Sequence, residues 1–393
     1  MTHETIRDRA AALQAQMVAW RRDIHQHPEL GFQETRTAQL VANALRGLGL
    51  EVEVGIAKTG VVAHLMNGEG PVVGIRADMD ALPIHENNPE LPFASQTPGV
   101  MHACGHDAHT AILLGVAHIL HDLPDLPAGE IRFLFQPCEE TQDDENKSGG
   151  LRMTEENALA GVDHTLALHV ASHIESGAVL VAEGPITAAV DSFEAVIKGK
   201  GCHGAASHLG IDPIYILAQV INAIHGIRAR RIDPAKAATI SIGSVHGGDA
   251  NNVIPHEVRL NGTIRTYDPD VREQIRHDLY SAFDVARALG GDYELHLQPG
   301  YPPTINDAGA VRAIEASTVD MFGAEAMQPG EAILGGEDFS YMTQAAPGAM
   351  FFLGAKYDDQ ERPHHSPVFN IDEAVLQRGA AVLAESALRL MRQ

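Results

Sequence analysis

The chain has 393 residues, 45% of them hydrophobic and 20% charged, a soluble composition at a length that predicts two domains rather than one. Lys plus Arg number 28 against 52 Asp plus Glu, a formal net charge of −24. Such a surface repels phosphate backbones and anionic lipid headgroups, which excludes nucleic acid and membrane as partners.

In chain order, the opening stretch "MTHETIRDRAAALQAQMVAWRRDIHQHPEL" carries charges throughout and does not read as a signal peptide. No apolar run is long enough to span a bilayer. Cys104, Cys138 and Cys202 are odd in number and far apart, so a cytoplasmic protein without a disulfide framework is expected. Arg36 to Leu48 shows helical periodicity. Strand-length apolar runs follow at "GVVAHLM" (60–66) and "PVVGIRA" (71–77), then a helix from Thr110 to Leu120, then strands at "EIRFLFQ" (130–136) and "HTLALHV" (164–170). That alternation predicts an α/β domain whose sheet is mostly parallel, with helices on both faces.

Near Pro185 the pattern changes. "AAVDSFEAVIKGKG" alternates like a strand, and "DPIYILAQVINAIHGIRAR" (212–230) is an amphipathic helix with Asp212 at its N-cap and Pro213 at its first position. Two strands, a helix over 270–290 and the strand "DYELHLQP" complete a β-α-β-β-α-β order, the signature of a ferredoxin-like α+β domain. A helix near 308–322, the strand "AMFFLG" and a helix from Glu373 then return to the first texture. The expected organisation is an α/β domain formed by 1–185 and 299–393, with an α+β domain inserted at 186–298.

The chemistry gathers beyond the carboxyl ends of the predicted strands, where open α/β sheets bind ligands. Asp78 and Asp80 follow one strand, Glu139 and Glu140 another, and His169 closes a third; Cys104, His106, Asp107 and His109 open a helix, and His364 and His365 come late. Thiolate, imidazole and carboxylate together suit zinc, and can also hold manganese, cobalt or nickel. Gly105 permits the turn that aims Cys104 and His106 inward. Adjacent glutamates on one strand end point opposite ways, so one can bind metal while the other faces water. Blander readings hold for Cys138 and Cys202 as buried apolar thiols, and for His102 and His109 as hydrogen-bonding residues at the helix mouth. "GKGCHG" (199–204) imitates a dinucleotide fingerprint, but the next helix begins only at Asp212–Pro213, and a nicotinamide enzyme is not expected.

These stretches carry a resemblance. "RRDIHQHPELGFQE", "RADMDALPI", "MHACGHDAHT", "FQPCEE", "ALHV", "GKGCHGAASHLGIDPI", "GGDANNVIP", "GTIRT", "GGEDFS" and "HHSPVFNIDE" resemble, in order, the motifs of the M20 metallopeptidase family, over about residues 20 to 380. The branch is that of hippurate hydrolases, indole-acetyl-amino-acid hydrolases and N-acetyl-amino-acid deacetylases. The resemblance implies a di-metal, aminopeptidase-like catalytic domain carrying an inserted lid or dimerisation domain, assembled as a homodimer or homotetramer. It implies two divalent ions per subunit on Cys104, His106, Glu140, His169 and His365, with His364 as the fallback for the last, Glu139 as general base and Asp80 as an orienting residue. His203 would reach a partner subunit's site to stabilise the oxyanion, and Asn252 and Arg265 would hold the substrate carbonyl or carboxylate. The implied reaction is hydrolysis of an N-acyl-L-amino acid to a carboxylate and a free amino acid; the alternative within the family is a small-peptide carboxypeptidase or dipeptidase. A purely metal-binding protein is the rival from another class. Two departures concern the acyl pocket: "TQDDENKS" lengthens the loop after Glu140, and "ASHIESG" follows "ALHV" where the branch often has an aromatic residue and a proline.

Overall fold

The computed structural model describes residues 3–393. The chain separates into two compact units: one runs to Ile186 and includes Ile305–Glu331 and Asp338–Gln393, and the other is Thr187–Thr304 with Ala332–Glu337.

The first unit opens with α1 (His3–Gln26) and α2 (Thr35–Gly47), then β1 (Glu51–Ile56), β2 (Gly60–Asn67) and β3 (Val72–Asp78). Helix α3 (His106–His121), β4 (Gly129–Gln136), the short helix α4 (Gly149–Glu155), β5 (His164–Ala171) and β6 (Val179–Val181) follow. With Gly348–Gly354 and Met327–Pro329, the strands form one eight-stranded sheet in the order β1, β2, β4, β3, β5, Gly348–Gly354, β6, Met327–Pro329. The sheet is mixed. Strands β4, β3, β5 and Gly348–Gly354 form an unbroken parallel block, whereas β1 pairs with β2, and β2 with β4, antiparallel. The connection between β1 and β2 holds only Ala57, Lys58 and Thr59. That is a hairpin turn, far too short for the crossover that a parallel pair needs.

Helix α3 is buried along almost its whole length, because α1 and the closing helix Leu376–Met391 pack against it. Gly115 sets the closeness of α1: a Cβ there would stand 2.4 Å from Met17 Sδ. Ile112, Leu113, Leu114, Val116, Ile119 and Leu120 are fully buried, each stabilising the fold by about 1.5–3 kcal/mol relative to exposure. That packing holds the amino end of α3 in place, and with it the metal-ligand cluster of the sequence.

The second unit has the predicted β-α-β-β-α-β order. Its four strands lie as Ala238–His246, Glu257–Thr266, Ala189–Lys198, Asp292–Pro299, all antiparallel. This is the strand order of a ferredoxin-like sheet. Helix α5 (Pro213–Arg230) begins as read from the sequence: Asp212 Oδ1 accepts the amides of Ile214 at 2.8 Å and Tyr215 at 3.3 Å. Helix α6 (Pro269–Phe283) is capped in the same way by Asp268. Phe193, Ile197, Ile216, Ile224, Leu260, Ile275 and Phe283 form the unit's own core. Among the described residues, no helix is long and apolar enough to cross a membrane.

Truncating Leu113 to Ala should destabilise the first unit by about 2–5 kcal/mol, from lost burial plus a cavity that its neighbours cannot fill. A denaturant midpoint unchanged from the parent's would contradict this packing.

Candidate metal centre

The parallel block decides where the chemistry gathers. Asp78 ends β3, Gln136 ends β4, and His169 lies two residues from the end of β5. Gly105 caps α3 with φ +94° and its missing Cβ would lie 2.3 Å from Val170 Cγ2. Only glycine fits there, and the turn it makes carries Cys104 and His106 to the strand ends.

Glu139 and Glu140 are not on a strand, as the alternating pattern suggested, but on the turn beyond β4. Cys138 adopts a left-handed backbone, φ +48°, which a side-chain-bearing residue holds only at some cost. The Glu34 carboxylate fixes it, accepting the Cys138 amide at 2.8 Å and the Thr59 hydroxyl at 2.5 Å. Burial, with Asp80 nearby, pushes Glu34 up to about 7. His365 is also left-handed, φ +60°, and its amide donates to Ala103 O at 2.8 Å.

Among the donor groups that result, three join the expected ligands: Cys104, His106 and His169; Cys104, Glu140 and His365; and His106, Glu139 and Glu140, the atoms in each lying within 4.8 Å of one another. Cys104 Sγ is 3.5 Å from His169 Nε2, and Glu140 Oε1 is 3.1 Å from His365 Nε2 and 3.9 Å from His106 Nε2. Asp80 ties two of these residues together, with Oδ1 3.1 Å from His106 Nδ1 and Oδ2 accepting the Glu140 amide at 3.0 Å. His169 donates from Nδ1 to Val170 O at 2.7 Å, which leaves its Nε2 lone pair facing Cys104. A ligating imidazole is oriented in this manner, through its second nitrogen.

The donor set fits a cation. His106 Nε2 is buried without a hydrogen-bond partner among the described residues, and the buried Glu140 Oε1 faces it beside His365 Nε2. Burial, then the carboxylates of Glu140, Glu139 and Asp78, raise the Cys104 thiol well above its ordinary range. Burial opposes a charge on His106, yet Asp78 and Asp80 push it up to about 10. In both, the nearby carboxylates push the same way, a crowding of negative charge that a divalent ion would neutralise while drawing out the thiolate. Burial, reinforced by His109 and His364, keeps His169 neutral, the form that ligates.

The neighbours are committed elsewhere. His109 Nδ1 is 2.6 Å from Asp78 Oδ1 and its Nε2 accepts the Val170 amide at 2.9 Å, so it is a hydrogen-bonding residue of the helix mouth. Asp107 is held by Arg21 at 2.9 Å and His25 at 2.8 Å. His364 Nε2 accepts the Ser172 amide at 3.3 Å, and it is His365 that reaches Glu140. Cys138 is buried with its thiol donating to Thr141 O at 3.4 Å.

His203, Asn252 and Arg265 lie in the second unit. His203 is exposed, and its Nδ1 accepts the Ala205 amide at 3.0 Å, which leaves the proton of a neutral ring on Nε2. It lines an open cleft of about 1160 Å³ with His246, Asp249, His256 and Arg259. Asn252 is exposed and its main-chain oxygen accepts the Gly204 amide at 2.7 Å. Arg265 is half-buried on the strand Glu257–Thr266, donating to Thr263 Oγ1 and to Ile264 O. "GKGCHG" leads into the short strand Cys202–His203 and a 3-10 turn, and no helix opens at its third glycine.

Sequence reasoning gave no role to Glu34, Arg76, Gln136 or Asp338. All four are buried around the Glu139 turn. Three fall inside quoted motifs, and Arg76 opens "RADMDALPI"; their types alone say nothing of what they touch.

A parallel α/β block with thiol, imidazole and carboxylate donors converging at its strand ends defines a metal-dependent hydrolase. The sequence profile of peptidase family M20/M25/M40 matches residues 74–389, and the chain belongs to that family. It is 39% identical over 392 residues to thermostable carboxypeptidase 1 of Saccharolobus solfataricus, covering 98% of each chain. To an N-acyl-L-amino acid amidohydrolase of Geobacillus stearothermophilus it is 43% identical, covering 78% of this chain and 82% of that one. A solved Bacillus subtilis structure, described as a dinuclear metal binding peptidase from the M20 family, superposes with a TM-score of 0.83 at 34% identity, covering 97% and 99%.

Replacing Asp80 by Ala should weaken divalent-ion affinity about 10–100-fold, since it frees His106 and the Glu140 amide together. Chelator competition with metal analysis measures this, and affinity equal to the parent's would show that Asp80 orients nothing.

Proposed function

We propose that the protein is a metal-dependent amidohydrolase that cleaves N-acyl-L-amino acids to a carboxylate and a free amino acid. The observation that carries this reading is the convergence of Cys104, His106, Glu140, His169 and His365 beside an additional carboxylate, Glu139. The five would hold two divalent ions, zinc first by donor type, with manganese, cobalt or nickel as substitutes. When bound, the ions supply Lewis acidity toward water and the scissile carbonyl.

The protein's own groups do the rest. Glu139 takes a proton from the attacking water on its carboxylate and returns it to the leaving amine nitrogen. The partner subunit's His203 donates from Nε2 to the oxyanion, a contact of about 3 kcal/mol when such a donor is well placed. Arg265 makes no ion pair among the described residues, and its guanidinium suits the substrate carboxylate, with Asn252 beside it in role. A homodimer or homotetramer joined through the second unit, in the cytoplasm, completes the reading.

The relatives named as carboxypeptidases favour a second reading, hydrolysis of small peptides at the same amide. Recognition of a free α-amine would need an acid in the acyl pocket. Asp143 does not offer one: Lys58 Nζ stands 2.7 Å from its Oδ2, and Arg152 also binds that oxygen, so the two cations hold its carboxyl below the usual range.

Glu139→Gln should lower turnover of N-acyl amino acids by about 10²–10⁴-fold while metal content stays at the parent's level. Near-parental turnover would show that the base is another group. Metal-reconstituted protein assayed on N-acyl amino acids beside matched dipeptides separates the two substrate readings.

A further inference from the structure

Behind the Glu139 turn lies a closed polar network that the reaction scheme leaves unused. Arg76 donates from Nε to Gln136 Oε1 at 2.8 Å and from Nη2 to Asp338 Oδ1 at 3.0 Å. Gln136 Nε2 donates to the same Asp338 oxygen at 2.7 Å, and the Gly150 amide donates to Asp338 Oδ2 at 2.7 Å. Arg76 Nη1 forms an ion pair with Asp78 Oδ2 at 2.8 Å. Arg76, Gln136 and Asp338 are at most 2% exposed. A buried charge network of this kind fixes geometry more than it adds stability.

Its placement says which geometry. Gln136 is the last residue of β4, three before Glu139, and Gly150 is the second residue of α4, where the loop carrying Glu139 and Glu140 ends. Asp338 therefore grips both ends of that loop. Glycine is required at the second grip, since a Cβ on Gly150 would lie 2.8 Å from Asp338 O and Oδ2. Asp338 also meets the base itself: its amide is 3.4 Å from Glu139 Oε1, and its carboxylate lies within 4.8 Å of that of Glu139.

We propose that Asp338, clamped by Arg76 and Gln136, is a positioning residue that sets the Glu139 carboxylate in its working orientation by holding both ends of the 137–150 loop. The hydrogen bonds described for it run to Arg76, Gln136, Gly150 and Glu139, so its effect falls on proton transfer rather than on metal or substrate binding. The inference rests on the reading of Glu139 as the base.

The test is steady-state kinetics on an N-acyl amino acid with Asp338→Asn, Gln136→Met and Glu139→Gln, each analysed for metal content and folded fraction. Asp338→Asn should lower kcat about 100-fold, the scale of a misplaced catalytic group, with KM within about threefold of the parent and metal content unchanged. Gln136→Met removes one grip of the three and should lose about 3–10-fold in kcat with the same KM pattern. It also serves as the readout should Asp338→Asn not fold. Parental kcat in either folded variant overturns the proposal, as does a loss that follows metal content, KM or folded fraction. Failure of the underlying reading is separable: it would show as activity retained by Glu139→Gln.

Discussion

Four buried carboxylates, Asp78, Asp80, Glu139 and Asp338, share one end of the parallel block with a thiol and a cluster of imidazoles, and one guanidinium, Arg76, pairs with two of them. Burying so many like charges is unfavourable unless each is paired or hydrogen-bonded. Arg76 answers Asp78 and Asp338, while Asp80 is satisfied by His106 and the Glu140 amide. Negative charge still crowds the Cys104 and His106 end: burial and the carboxylates of Glu140, Glu139 and Asp78 raise the Cys104 thiol, and against its burial Asp78 and Asp80 raise the His106 imidazole. Cations resolve the conflict, so the metal is part of what makes this end of the fold electrostatically tenable.

The backbone is arranged around the same demand. Three turns deliver the donors, at Gly105, Cys138 and His365, and each lies in the left-handed region. Glycine takes that conformation freely; Cys138 and His365 do not, and each is tied by its amide to a fixed acceptor, Glu34 and Ala103 O. Such strain persists where the surroundings over-determine it. The packing of α3 between α1 and the closing helix is the counterpart on the other side, since it fixes the helix mouth onto which the turns converge.

What could be read from the residues follows from this division. The four central strands were legible because burial on both faces leaves continuous apolar runs. The insert was legible because its first helix carries an Asp212–Pro213 start and one face of its sheet alternates, whereas the Asp268–Pro269 start of α6 lies two residues before the helix read from the sequence. Donor types clustered at "MHACGHDAHT" and "FQPCEE" announced metal chemistry, and family resemblance supplied the roles. Helix α1 was missed because charges interrupt its apolar face, and its burial against α3 and the closing helix is a tertiary fact. The antiparallel hairpin β1–β2 was missed because β1, "EVEVGI", has largely exposed side chains at the sheet edge and thus no apolar run to betray it. Asp338 and Glu34 carry no local signal at all: an acid in a loop looks solvated until the chain brings Arg76 or the Cys138 amide to it.

The stretch 141–148 is held without loosening the turn it follows. Asp143 Oδ1 accepts the amides of Glu145 at 2.9 Å and Lys147 at 3.2 Å, while Oδ2 binds Lys58 and Arg152. The loop is then closed by the Gly149 amide donating to Cys138 O at 2.8 Å. These residues are thus folded around their own acid and latched to the β1–β2 hairpin through Lys58. Extra length costs little entropy when its ends are already fixed, and here the fixed ends are the two that Asp338 holds. The Glu139 turn is thus framed by contacts separate from those that Asp143 makes within the stretch that follows it.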